Sequence, residues 1–599
     1  MNCLIFLAPL FLTIAYSCAR QPVEIAPPLP TEPILEESCP VDVSAGEAAE
    51  IETALEAEAL FFAEEYAAEA PEGEGEADAD IPLIESRKAE IRKAYIEPTL
   101  KILILKGAGS ISVRSESDIA LRFNGRVTTV KPGGFIRFKA RSARVGVHMY
   151  PVGIATFRGT EYDKAVQYAE KWKRDGYTVR IIKAGSPFVH ADGSVADTTV
   201  YWVALGSFKK EADAELFRDK MNRRGLSAWV IDESILNPKG NIEMTDGRGA
   251  VYAYADSHVA LLAEKPLEVR DVPFGDGFWS SGNCENRTYL SPLEIYVNEQ
   301  GKLAAINLVT LEEYVKGVVP VEIRLTAPDE ALKAQAISAR TEALAKLGIK
   351  HAFDPYDFCA SQHCQEFCGL TRRTDRTDAA VDATRGLVLM RDGALVDAVY
   401  SANCGGHTEH NENVWSGRPN SALRGISELY SNPQSFDSPV PERQFADWLK
   451  LSPKAYCGDP RADGAGHFRW TTRFTPKEMS AAVNQYYRVG SVRDIKALKR
   501  GVSGRALKIK VTGTSGSATI YKELEIRRVL GKLKSTMFII EIKRDSTGAP
   551  VSFCFHGGGW GHGVGMCQAG AEGMALQGLT HSAILKHYFT GAEIVKLYD

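Results

Sequence analysis

A carboxyl, a guanidinium, a Cys/His cluster and a glycine-rich turn carry most of the chemistry readable in this 599-residue chain. Glu322 stands in VVPVEI, with Val318, Val319, Val321 and Ile323 around it. A carboxyl set among apolar groups has its charged form disfavoured and its pKa raised. That is the property of a general acid working near neutral pH. The competing reading is an exposed structural glutamate. Arg340 shares a helical stripe with Lys333, Ile337 and Leu344. On such a stripe it either meets an anionic substrate or pairs with a carboxylate of the fold.

The segment 351–368 brings together His351, Cys359, His363, Cys364 and Cys368. Two Cys and two His (His351, Cys359, His363, Cys364) could supply four tetrahedral zinc ligands. The alternative is a disulfide among Cys359, Cys364, Cys368 and Cys404. Cys404 precedes Gly-Gly-His407, but a His three residues from a Cys in a glycine loop is not a catalytic dyad by spacing alone. The run 556–573, HGGGWGHGVGMCQAGAEG, lacks the Gly-Lys-Ser/Thr of a phosphate loop. Trp560, His562, Met566 and Gln568 project from it, and an aromatic face beside hydrogen-bonding groups suits a sugar ring. The bland alternative is a tightly packed internal turn.

The elements that must position these groups follow from pattern. Thr310 with Glu313 three residues on is a capping box for a helix through Val318, which Pro320 should break, leaving Glu322 just past its end. A second helix starts at Pro328, with Asp329 and Glu330 in its first turn, and ends before Gly348. Strand-like runs occupy 101–151, 249–310, 385–404, 465–474, 505–528 and 536–557, and a short helix falls near 581–588. Residues 157–233 hold an internal repeat: each copy is a helix of about a dozen residues, a glycine (Gly176 or Gly225) as cap, then a β-type run. Two strand–helix–strand copies suggest one sheet with both helices on a single face. The repeat reads as a separate folding unit.

Composition sets the frame. With 44% hydrophobic and 25% charged residues the chain is neither wholly disordered nor polytopic in a membrane. The net charge of -5 hides an asymmetry: 19 acidic residues and no Lys or Arg lie between Arg20 and Arg87, so the remainder carries 71 Lys and Arg against 57 Asp and Glu. An acidic tether is joined to a basic body, which calls for an anionic partner. Residues 4–16 are almost wholly apolar, too short to span a bilayer and suited to an export signal. Ser17-Cys18 after them resembles a bacterial lipobox; ordinary cleavage near Ser17 is the alternative. Export makes disulfides permissible. The expected organisation is a signal peptide over 1–18, an acidic Pro/Glu/Ala-rich linker over 19–95, an N-terminal β segment over 96–155, the repeat over 156–235 and a body over 245–599.

Two resemblances sharpen this reading. YWVALGSF (201–208) and GLSAWVID (225–232) resemble a SPOR domain, a ferredoxin-like module whose family binds peptidoglycan glycan stripped of stem peptides. LEEYVKGVVPVEI (311–323), EALKAQAISARTEAL (330–344), CASQHCQEFCG (359–369), ATRGLVLM (383–390), YSANCGGHTE (400–409) and HGGGWGHGVGMCQAGAEGMALQG (556–578) together resemble the SpoIID/LytB family, in the family's order. The implied fold is α+β: a β-rich SpoIID-like body with helical segments and an inserted SPOR domain.

The resemblance implies a lytic transglycosylase with Glu322 as acid and base, cutting between muramic acid and N-acetylglucosamine with 1,6-anhydro ring closure. It also implies structural zinc at 351–364 and no cofactor for catalysis. Arg340, Trp560, His562 and Gln568 are the expected substrate contacts. The chain departs from the family at Cys567, where Ser is common and a disulfide to Cys554 is an alternative, and at Glu342, where Tyr is common. The expected partners are denuded glycan strands and an N-acetylmuramoyl-L-alanine amidase, without nucleic acid, in the periplasm or on the outer membrane through lipidated Cys18. The competing function is a non-catalytic glycan binder that recruits or activates an amidase. A Zn or Cys peptide hydrolase is a third class, and it needs an open metal position or a Cys–His pair that the spacing does not offer.

Overall fold

A computed structural model describes residues 81–599, apart from 86–91, 94–95, 186, 190–194, 225, 227, 275–282, 416–418 and 431–441. The export signal, Cys18 and nearly all of the acidic tether fall outside the described residues. Within them the chain is a strand-rich mixture of sheets and helices, as α+β requires.

Two large sheets share one core. The seven-stranded sheet runs, in spatial order, 358–359, 99–108, 303–310, 293–297, 258–263, 119–123 and 126–130. The six-stranded sheet runs 251–256, 239–245, 136–144, 110–115, 267–274 and 283–289. Period-two alternation builds both: Ile111 and Val113 of one strand, Ile119, Leu121 and Phe123 of another, turn inward and join a single apolar cluster. Both sheets draw strands from either side of 147–236. Arg144 is paired directly with Lys239, so the chain leaves and re-enters at neighbouring positions of one ladder.

The excursion is a βαββαβ unit. Strand Val147–Arg158 leads to α1 (Tyr162–Arg174), then strands Val179–Ala184 and Val200–Phe208, then α2 (Glu211–Arg223) and strand Trp229–Val230. The spatial order is second, third, first, fourth, with every neighbour antiparallel. This is the split-βαβ, ferredoxin-like arrangement that the repeat predicts. Ala165, Ala169 and Trp172 of α1 form the buried stripe, and Gly176 ends the helix with φ +82°.

The unit is not free-standing, however. Its second face, Ile182, Ala184, Trp202, Ala204 and Ile231, packs on Ala352 and Phe353. The Gly185 N–H donates to the Gly348 carbonyl at 3.0 Å. Its edge is extended by Leu83–Glu85, paired parallel to Ile181–Lys183, so the end of the expected linker is a strand. The apolar alternation of 179–184 and 200–208 leaves a second greasy face, and the segment around His351 covers it.

Two helices form the centre of the body. The first, α3 (Leu311–Glu322), is capped by Thr310, whose hydroxyl accepts from the Glu313 N–H at 3.5 Å. It does not stop at Pro320: the helix runs on to Glu322. A proline in the last turn forfeits only one backbone hydrogen bond, and the Ile323 N–H to Val319 carbonyl bond of 3.1 Å keeps that turn closed. The second helix, α4 (Asp329–Lys346), follows Pro328 and is buried along most of its length. Arg340 and Glu312 join the pair. Arg340 is fully buried and meets the Glu312 carboxylate through two bonds of 2.8 and 2.6 Å. Glu312 also accepts from the Tyr598 hydroxyl at 2.6 Å and the Gly386 N–H at 3.1 Å.

The C-terminal half adds two three-stranded sheets, 470–474/550–557/538–544 and 492–500/506–513/517–521, with an apolar core of their own. The expected 505–528 run ends instead in a helix, Glu523–Val529. A helix does occupy His581–Tyr588. The glycine-rich run ends in α5 (Gln568–Leu576), capped by Cys567.

Removing one partner of a buried ion pair strands the other, at a cost of about 3–5 kcal/mol. Glu312→Ala should therefore lower the unfolding free energy by about that amount, whereas a surface pair such as Lys131–Asp118 should cost under about 1 kcal/mol. Urea unfolding followed by circular dichroism measures both.

Candidate active site

Glu322 ends α3 with its side chain partly buried. Burial raises its pKa to about 8, and the nearby carboxyls of Glu366 and Glu342 push the same way. Two hydrogen bonds act in the opposite direction: the Glu366 N–H donates to Glu322 Oε1 at 2.8 Å, and the Tyr400 hydroxyl bonds the carboxyl. The backbone of this corner is held from below by Gln568. Its Nε2 donates to the Glu322 carbonyl at 2.7 Å and to Gln335 Oε1 at 3.3 Å.

A second carboxyl lies beside the first. Glu342, on α4, has its pKa raised to about 7, chiefly by burial. Gln365 Nε2 donates to Glu342 Oε2 at 3.1 Å and to the Tyr400 hydroxyl at 3.2 Å. A continuous path thus runs Glu322–Tyr400–Gln365–Glu342. The motif reading passed over Tyr400, Gln365 and the chemistry of Glu342, although all three stand inside the motif segments. The departure from Tyr to Glu at 342 was the available signal.

The expected contacts separate. Gln568 reaches Glu322, but its amide is engaged with the backbone and Gln335. Arg340 does not reach this corner: it is buried and saturated by Glu312 and the Leu387 and Val381 carbonyls, which is the structural pairing that its apolar stripe also allowed. His562 is packed beside Trp415, with ring centroids 4.8 Å apart. Burial, Arg505 and Arg527 depress its pKa to about 3, so the ring is neutral, and its Nδ1 accepts from the Val564 N–H at 3.0 Å. Trp560 is partly exposed; the His467 ring stands edge-on to it at 4.2 Å and Lys534 Nζ lies 5.4 Å from its centroid. The glycine run itself is a close-packed turn. A Cβ at Gly559 would come within 2.6 Å of the Asn403 carbonyl oxygen, and one at Gly563 within 2.3 Å of the Arg505 guanidinium.

His351, Cys359, His363 and Cys364 converge, one ligand atom from each lying within 4.8 Å of the others. Cys359 and Cys364 Sγ are 3.5 Å apart, and Cys364 Sγ is 3.4 Å from His351 Nε2. The far nitrogen of His351 bonds Asp354 at 2.7 Å, the carboxylate–histidine arrangement typical behind a zinc ligand. The donor set fits tetrahedral zinc, and the thiols are unpaired rather than joined in the disulfide weighed above. Cys368 stands apart, donating to the Gly317 carbonyl at 3.3 Å. Cys554 is free, and Cys567 lies by Cys404 instead. The Cys/His loop leads straight into Gln365 and Glu366, so it anchors two of the groups that surround the carboxyls. A concavity of about 790 Å³ is lined by Leu449, Arg469, Thr471, Glu541 and His556 and includes neither carboxyl.

Residues 299–390, which span α3, α4 and the Cys/His loop, match the family model described as Stage II sporulation protein. Residues 409–565 match a domain of unknown function. The chain is 28% identical to Stage II sporulation protein D of Bacillus subtilis over 319 residues, 51% of this chain and 79% of that protein. It is 27% identical to the amidase enhancer of the same organism over 299 residues, 47% of this chain and 40% of that protein. An uncharacterised Brachyspira hyodysenteriae protein is 29% identical over 307 residues, 50% of this chain and 71% of that one. The first match places Glu322, Glu342 and the Cys/His loop within a SpoIID-type domain, whereas Tyr400 and Gln568 lie beyond it.

The raised carboxyls make stability depend on pH. The folded protein keeps the Glu322 proton to about pH 8, whereas the unfolded chain releases it near 4.5. Between those values the folded state binds more protons, so stability falls as pH rises through that window. Glu342, raised to about 7, adds a fall of the same sign. Glu322→Gln should flatten the profile and melt higher than wild type at pH 8.5, a comparison that thermal scans across pH 5–9 make directly.

Proposed function

We propose that the protein is a lytic transglycosylase of the bacterial cell wall, acting on glycan strands without stem peptides. The observation that supports this most is the Glu322 carboxyl, protonated up to about pH 8 at a partly exposed helix end. The acid donates its proton to the oxygen between muramic acid and N-acetylglucosamine; the C1–O bond breaks, and the leaving sugar departs with a hydroxyl. Positive charge develops at C1. The Glu322 carboxylate, steadied by the Glu366 N–H and the Tyr400 hydroxyl, takes the proton of the C6 hydroxyl of the same muramic ring. O6 closes on C1 and yields the 1,6-anhydro product. The proton returns to Glu322 and no water is consumed.

Zinc at His351, Cys359, His363 and Cys364 has a structural part: it ties the loop that presents Gln365 and Glu366. The ferredoxin-like unit, with its SPOR-like sequence, is a glycan-holding module fastened beside that loop. The basic body attracts the lactyl carboxylates that amidase treatment uncovers. An exported protein, anchored through Cys18 in the outer membrane or free in the periplasm, is the setting this substrate requires.

A second reading draws on the relative named amidase enhancer: a glycan binder that promotes an amidase without cutting glycan. Glu322→Gln separates the two. It should retain binding to amidase-treated wall and lose at least about 100-fold in release of anhydro-muramyl products, scored by mass spectrometry. Near-wild-type turnover would reject Glu322 as the acid, and absence of anhydro products from the wild type would favour the binder.

Glu342 acts through Glu322. Its charge raises the Glu322 pKa, so Glu342→Gln should move the basic limb of the pH–rate profile to lower pH while leaving the maximal rate within about tenfold. A merely structural role would lower the rate without moving the limb.

A further inference from the structure

Four segments far apart in sequence bring a second set of ligand-type side chains together. Cys404 follows strand Tyr400–Ser401, Cys457 sits in the turn Tyr456–Gly458, Cys567 caps α5, and Glu428 lies in the connection between them. All four are buried with 0% exposure. One ligand atom of each lies within 4.8 Å of all the others. Cys404 and Cys457 Sγ are 3.6 Å apart. A disulfide holds its sulfurs at about 2.05 Å. Two thiolates on one tetrahedral zinc, with Zn–S bonds of about 2.3 Å, stand about 3.8 Å apart.

The surroundings orient these atoms as an outer shell does. Cys567 Sγ accepts from the Cys404 N–H at 3.1 Å and the Gly570 N–H at 3.3 Å. Glu428 accepts from the Cys457 N–H at 3.2 Å and from the Tyr588 hydroxyl. Gly570 makes room for this: a Cβ there would come within 2.4 Å of the Glu428 carboxylate. Two guanidiniums supply positive field. Arg505 acts on Cys404 and Cys567, and Arg469 on Cys404 and Cys457. Neither forms an ion pair among the described residues, although Arg505 shares its charge with buried Glu409 through the Ser503 hydroxyl.

We propose that Cys404, Cys457, Cys567 and Glu428 bind a structural zinc ion, separate from the His351–Cys364 set. Three sulfurs and one carboxylate oxygen are a zinc donor set, and a closed, buried site leaves no position for substrate. The four ligands give up their protons as the ion enters. The ion joins the 400–406 turn, the Glu428 connection, the Cys457 turn and the head of α5. Gln568, the residue after Cys567, then holds the Glu322 carbonyl, so the site is a staple behind the acid. None of this depends on what reaction Glu322 performs.

The test is the zinc content and coordination of the full chain purified from zinc-supplemented cells, by elemental mass spectrometry and zinc-edge X-ray absorption. Two sites give about two zinc per chain and an average near 2.5 sulfurs per zinc. Cys359→Ser/Cys364→Ser removes the other site and leaves the proposed one untouched. The double variant should keep about one zinc, with three sulfurs and one oxygen. Adding Cys457→Ser should remove it and lower the melting temperature. The proposal is overturned by a wild type whose only zinc has two sulfurs, by a wild type without zinc, or by a disulfide among Cys404, Cys457 and Cys567 in non-reducing peptide maps. Should the variants fail to fold, the wild-type sulfur count alone decides.

Discussion

The buried pair of Glu312 and Arg340 is the constraint on which the centre of this protein depends. Glu312 opens α3 and Arg340 lies deep in α4, so their two bonds lock the helices against one another. The same carboxylate collects the Tyr598 hydroxyl and the Gly386 N–H, while the Glu312 N–H donates to Glu97 at 2.8 Å. Segments from the start, middle and end of the body thereby meet at one buried pair. A charge this buried tolerates no loss of partner, because the remaining group would stand unsolvated. The locked helices set Glu322 at the end of one beside Glu342 on the other.

Much of this was legible because it is local. The Thr310 cap, the start at Pro328, the helix at 581–588 and the βαβ repeat each rest on signals within a few residues. The position of Glu322 among valines told correctly that its charged form would be disfavoured. Pro320 misled because the rule against proline in helices is a rule about interiors, and this one sits in the last turn. Arg340 was ambiguous in principle: an arginine on an apolar stripe has the same pattern whether it faces a ligand or a buried carboxylate, and its partner lies 28 residues away.

Groups assembled from distant segments left no pattern to read. Cys404, Cys457 and Cys567 are separated by 53 and 110 residues, spacings that no short metal motif spans. Cys457 falls in a stretch with no recognisable signature at all. The second face of the ferredoxin-like sheet was also hidden, since alternation tells that two faces are apolar but not what covers them. Its contact with Ala352 and Phe353 couples the ferredoxin-like unit to the loop of His351, where a tether alone would have left them independent.

One carboxyl can serve as acid and then as base only if neither of its states is held too firmly. Around Glu322 the opposing influences are both strong. Burial and the neighbouring acids Glu366 and Glu342 hold the proton on; the Glu366 N–H and the Tyr400 hydroxyl favour the carboxylate. The result, about 8, places the group close to neutrality in the resting protein. A bare carboxyl in an apolar pocket would be an ample donor but would have no stabilised form in which to act as a base. A fully solvated one would wait as a carboxylate and have nothing to give. The Glu366 N–H, which sets this balance, comes from the loop that follows Cys359, His363 and Cys364, while the Glu322 carbonyl is held by the residue after Cys567. Each cysteine cluster thus adjoins one group that fixes Glu322: the first precedes the Glu366 N–H on its carboxyl, and the second precedes the Gln568 amide on its carbonyl.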